Sequence, residues 1–146
     1  MPASPFTVTG GTLGGTGTIG SFVAQSGGTI APGNSIGTLN VTGNVSFQAG
    51  STYQVELNSA GQSDRIAAGG TATLQGGTVV VTAAPGTYQA SQRFTILTAT
   101  SGVTGQFASL TTTFGFTFLT PYLGYDPTDV YLGFARNSVS FASVGI

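Results

Sequence analysis

The sequence predicts an all-β fold wound as a solenoid, and three observations carry that reading. The first is composition. The chain of 146 residues holds 24 Gly, 24 Thr and 14 Ser, with one Glu, one Met and no Lys, so strong helix formers are scarce. Thr, Val, Ile, Phe and Tyr are plentiful, and these residues suit a pleated surface. The second is pattern: apolar residues alternate over short runs bounded by glycine turns, and apolar spacing of the helical kind is hard to find. The third is an irregular repeat. Gly-Gly-Thr begins at Gly10, Gly14, Gly27, Gly69 and Gly76 with no fixed period. Coils of unequal length would give that irregularity. A hydrophobic content of 40% separates the chain from disordered Gly/Ser/Thr-rich sequences.

Taken in order, the expected strands are Thr16–Ser21, Thr29–Ala31, Thr38–Thr42, Val45–Gln48, Thr52–Leu57, Arg65–Ala68, Thr71–Leu74 and Thr78–Thr82. Most are too short for a sandwich face but normal for one side of a coil. At about 20–30 residues per coil, residues 10–85 make about three coils. In the run from Thr52, Tyr53, Val55 and Leu57 share one face and leave Gln54 and Glu56 outside. The second half changes character, because nine of the fifteen aromatic residues lie between Arg93 and Phe134. Phe114, Phe116 and Phe118 alternate on one face, as do Val130, Leu132 and Phe134. Pro85-Gly86, Ser101-Gly102 and Asp126-Pro127 read as turns. An aromatic-rich segment of hairpins is the expected cap for a solenoid, whose open core must be closed.

Charge and residue types exclude several functions. Seven residues are charged, Arg65, Arg93, Arg136, Glu56, Asp64, Asp126 and Asp129, for a net charge of −1. Three arginines do not neutralise a run of phosphates, so no nucleic-acid partner is expected. Without His or Cys the usual zinc, copper, iron–sulfur and haem sites have no ligands. No apolar run approaches the 18 residues of a membrane-spanning helix, and the first residues do not read as a signal peptide. Gly15-Thr16-Gly17-Thr18-Ile19-Gly20 fits a dinucleotide fingerprint, but residue 40 is Asn and no helix follows. Gly33-Asn34-Ser35-Ile36-Gly37 fits a nucleophile elbow, which needs a histidine that the chain lacks. The pair Asp126 and Asp129 is a thin calcium site and a good Asp-Pro turn. Asp64 is expected to cap a turn after Gly61-Gln62-Ser63, with Arg65 turned to solvent or paired across coils.

An ordered series of segments resembles the passenger-associated repeat of bacterial autotransporters, the type V secretion systems. It begins with Ala31-Pro32-Gly33-Asn34-Ser35-Ile36-Gly37-Thr38-Leu39-Asn40-Val41-Thr42-Gly43. Gly50-Ser51-Thr52-Tyr53-Gln54-Val55-Glu56-Leu57, Ser63-Asp64-Arg65-Ile66 and Gly76-Gly77-Thr78-Val79 follow. Arg93-Phe94-Thr95-Ile96-Leu97, Phe118-Leu119-Thr120-Pro121, Asp129-Val130-Tyr131-Leu132 and Ala135-Arg136-Asn137 close it. The resemblance runs from about Gly10 to Asn137. It implies a right-handed parallel β-helix from the C-terminal end of a passenger, acting as a stem or autochaperone that folds first at the cell surface and aids secretion of the rest.

On that basis residues 1–9 are expected to be a disordered or vector-derived lead-in, 10–88 the coils, 89–137 the cap and 138–146 a linker toward an outer-membrane barrel. The expected partners are upstream passenger coils and that barrel, with no small-molecule substrate, no cofactor and no metal. No catalytic residue is assigned. The residues expected to carry folding are Ile36, Leu39, Val41, Tyr53, Val55 and Leu57 in the coils. In the cap they are Phe94, Phe118, Tyr131 and Leu132. A surface adhesin or self-association module is the alternative function. A carbohydrate-active enzyme using Glu56, Asp64 or Asp126 is a further one.

Overall fold

In the computed structural model, the described residues are 6–15, 17–32, 36–84, 86, 88–89, 91–112 and 119–136. They form strands and turns only. Short alternating runs cannot bury both faces alone, so each is stacked on its counterpart in the next coil. Three strands make one turn. The first four turns are β1 (Phe6–Val8), β2 (Thr12–Gly15) and β3 (Gly17–Ile19); β4 (Phe22–Ala24), β5 (Thr29–Pro32) and β6 (Thr38–Val41); β7 (Val45–Gln48), β8 (Thr52–Leu57) and β9 (Arg65–Ala68); β10 (Thr71–Gln75), β11 (Thr78–Ala83) and β12 (Arg93–Ala99). A fifth turn starts with β13 (Gly102–Gln106) and β14 (Ser109–Thr112). The chain then folds into an antiparallel hairpin, β15 (Leu119–Tyr125) and β16 (Asp129–Arg136).

The result is a β-solenoid with three sheets. The first runs β1-β4-β7-β10-β13 and the second β2-β5-β8-β11-β14, all parallel. The third runs β3-β6-β9-β12 in parallel and continues with β16 and β15 antiparallel. Residues 6–8, inside the expected lead-in, are β1 and pair with β4. The expected boundary at residues 88 and 89 falls between β11 and β12, within the fourth turn, and β13 and β14 add a further layer to two sheets beyond it.

The irregular Gly-Gly-Thr repeat has a structural cause. Thr12, Thr29, Thr52, Thr78 and Ser109 form one column at the start of the second sheet's strands, spaced 17, 23, 26 and 31 residues apart. The triplets at Gly10, Gly27 and Gly76 all serve this one corner. Their spacing is uneven because the coils lengthen, mostly at the opposite corner, where β2 and β3 are separated by residue 16 and later turns by 33–37, 58–64 and 84–92. The Thr78 and Ser109 hydroxyls meet at 2.9 Å across the column.

Side chains alternate in and out along each strand, and the inward ones line a single core. Leu39, Ile66 and Leu97 stack in the third sheet, and Ile30, Tyr53 and Val79 in the second. Phe22, Val45 and Ala72 stack in the first.

Candidate functional site

For a solenoid without a clustered set of reactive groups, the site that matters is the stacked core and its closed end. Two aromatic groups anchor it. Phe47 stands at the centre of the first, edge-on to Phe22 with centroids 5.5 Å apart, stacked on Tyr53 at 5.5 Å and edge-on to Phe107 at 5.2 Å. Such contacts add to the area each ring buries. Tyr53 is wholly buried, and its hydroxyl donates to the Ile96 carbonyl at 2.5 Å, which ties the third coil to the fourth. Burial, reinforced by the nearby Asp64 charge, pushes the Tyr53 hydroxyl well above the usual tyrosine range. The second group joins Tyr88, Phe94 and Phe134 at centroid distances of 6.0 to 6.3 Å.

The hairpin closes this end because it extends the third sheet past β12 and turns back over the core. Phe94 pairs with Leu132 and Leu97 with Val130, and a bulge at Ile96 lets Ile96 and Leu97 both face inward. The turn between β15 and β16 is latched to two coils: Ala99 N–H donates to the Thr128 carbonyl at 2.8 Å, and Val103 N–H to the Pro127 carbonyl at 2.7 Å. The Phe107 N–H donates to the Tyr125 hydroxyl at 3.1 Å.

Of the residues assigned to folding, Leu39, Val41, Tyr53, Val55, Leu57, Phe94 and Leu132 are buried. Phe118 lies outside the described residues, as do Phe114 and Phe116. Two assignments are corrected. Ile36 is half-buried at a corner, outside the core, because it is out of phase with Leu39 and Val41; the in-phase position is Gly37. Tyr131 is half-buried on the outer face for the same reason, since Val130 and Leu132 take the inward positions. Its ring lies under Arg93, with the guanidinium carbon 4.4 Å from the centroid.

Asp64 differs most from its expected role. It is 1% exposed, and its two oxygens accept the Gly37 N–H at 2.8 Å and the Glu56 N–H at 2.9 Å. It therefore clasps the second coil to the third from inside the corner. Burial raises its pKa to about 6, against the two backbone hydrogen bonds, which hold it down; the Glu56 charge adds a smaller upward push. With both oxygens committed, this carboxylate is not presented to a substrate. Asp126 and Asp129 lie at the hairpin turn, joined through their main chains at 2.9 Å. Among the described residues no three His, Cys, Asp or Glu side chains group as metal ligands. Nor is any helix among them long and apolar enough to cross a membrane.

Fold and site define a parallel β-solenoid whose last described layer is an antiparallel cap. No protein-family model matches the chain. Two proteins of Serratia marcescens, each described as an extracellular serine protease, are similar to it. One is 42% identical over 143 residues and the other 35% identical over 144, in each case across 92% of this chain. The chain spans only 13% and 14% of their lengths.

Proposed function

We propose that this chain is a non-catalytic stem segment of an exported passenger, outside the cell, which folds early and promotes folding and secretion of the polypeptide it belongs to. One observation carries the reading: the two ends of the described solenoid differ. The hairpin β15–β16 is latched over one end. Both ends have outermost strands, β13, β14 and β15 beside the hairpin and β1, β2 and β3 at the other, but only beside the hairpin do residues from outside the coils take up edge donors, the Val103 N–H by the Pro127 carbonyl and the Phe107 N–H by the Tyr125 hydroxyl, among the described residues. A new coil added to the edges of β1, β2 and β3 gains a full set of ladder hydrogen bonds without a new nucleus, so growth is directional. The similarity to a small part of two extracellular proteases supports an extracellular setting. It also supports a segment distinct from the catalytic part, in keeping with the commitment of Asp64 to backbone donors.

The test is a segment exchange. This chain replaces the matching stretch of the 42%-identical Serratia protease, and protease activity in the medium is measured. The exchange is expected to preserve secretion, and Leu132→Ala within it to lower extracellular activity several-fold. Unchanged secretion after deletion of the stretch would overturn the proposal.

A further inference from the structure

A second feature, independent of the stem reading, lies on the outer face of the third sheet. Two of the chain's three arginines, Arg65 at the start of β9 and Arg93 at the start of β12, line one cleft of about 310 Å³. Thr38, Ser63 and Thr95 line it with them, Thr38 beside Arg65 on β6 and the Ser63 hydroxyl donating to the Thr95 carbonyl at 3.4 Å. No carboxylate lines this cleft. Neither guanidinium has an ion-pair partner among the described residues. Asp64, beside Arg65 in sequence, is turned inward onto Gly37 and Glu56 and is not available to it.

On the other side of Arg93, across β12 from Arg65, lie two tyrosines that do not themselves line the cleft. Arg93, Gly133 and Tyr122 form one outward row across β12, β16 and β15. A Cβ on Gly133 would stand 2.6 Å from Tyr122 Cζ, so the tyrosine ring lies across this glycine, which is buried although it faces outward. Tyr122 is 39% exposed, the one large hydrophobic residue that is exposed among those described. Tyr131 lies in the same way over Gly124 and supports Arg93 from below. Arg93 is thus held by a ring before any ligand arrives, which lowers the ordering cost of binding.

Cations, hydroxyls and a flat ring beside them suit one chemistry: a carboxylate carried on a sugar ring. Guanidinium groups take the carboxylate in charge-assisted pairs, hydroxyls take the ring oxygens, and the apolar face of a pyranose covers an aromatic ring. The geometry points to a binding site for acidic saccharides at Arg65, Arg93 and Tyr122.

Calorimetric titration of the chain with glucuronic acid, glucose and acetate tests this. Glucuronate is expected to bind saturably, at least about tenfold tighter than glucose or acetate. Arg65→Gln and Arg93→Gln are each expected to weaken it about tenfold. Tyr122→Ala should weaken glucuronate about fivefold and leave acetate unchanged. Gln54→Ala, exposed on the second sheet, should change nothing, and circular dichroism establishes that each variant is folded. Amide shifts at Thr38 and Thr95 on titration locate the ligand independently. No saturable binding, equal binding of acetate and glucuronate, or full binding by the double arginine variant would overturn the site.

Discussion

The buried carboxylate of Asp64 makes stability depend on pH in a direction unusual for an aspartate. The native carboxyl titrates near 6 and the unfolded one near 3.9, so between these values the folded chain holds a proton that the unfolded chain has lost. Stability from this group is therefore fully present below about pH 4 and is lost as pH rises through 6. The span of about two pH units corresponds to about 3 kcal/mol, a large share of a domain's stability. Asp64→Asn removes the titration. It also replaces one acceptor by an amide N–H₂ facing a backbone donor, at either Gly37 or Glu56, which costs about 1–3 kcal/mol at every pH. Denaturant unfolding followed by far-UV circular dichroism, from pH 4 to 7.5, reads both effects. The wild type minus variant difference is expected to shrink by about 3 kcal/mol as pH rises over that range. A constant difference, or one that grows with pH, would refute the assignment of burial as the dominant influence on this carboxylate.

Three further outcomes follow from the core and cap. Leu132→Ala opens a cavity against Phe94 and is expected to cost roughly 2–5 kcal/mol, measured as a fall in the unfolding midpoint. Tyr53→Phe leaves the Ile96 carbonyl without its buried donor and should cost about 1–2 kcal/mol, whereas Tyr131→Phe on the outer face should change stability by less than about 0.5 kcal/mol. Gly105→Ala is expected to destabilise by more than about 1 kcal/mol, because Gly105 has φ of 79° and a Cβ there would run into the Leu74 carbonyl. Gly10→Ala, with nothing within 4 Å of an added Cβ, is the matched control.

Much of the fold was legible because its signals are local. Val45–Gln48, Thr52–Leu57 and Arg65–Ala68 are strands with the expected bounds, since the first two alternate apolar and polar residues strictly and all three lie between turn residues. The strands β1, β2 and β4 are not among those the sequence predicts. β1 and β4 have only three residues and β2 ends on two glycines, so none shows a run of alternation, and their partners, 16 to 23 residues away, hold them in place. Ile36 and Tyr131 show the limit of choosing core residues by type: phase along the strand, set by Leu39 and by Val130 with Leu132, decides which face a side chain takes.

Fold class, the strands long enough to alternate and the aromatic enrichment of the closing segment are readable along the chain, because propensity, period and turn chemistry act between near neighbours. Stacking in three dimensions shows that three of the five scattered Gly-Gly-Thr triplets share one corner, that the cap completes a coil instead of following it, and that Asp64 is an inward clasp. It also brought Arg65 and Arg93 to one cleft. Each of these depends on coil length, which sets what is stacked on what, and in a solenoid whose coils grow from turn to turn no fixed spacing announces it.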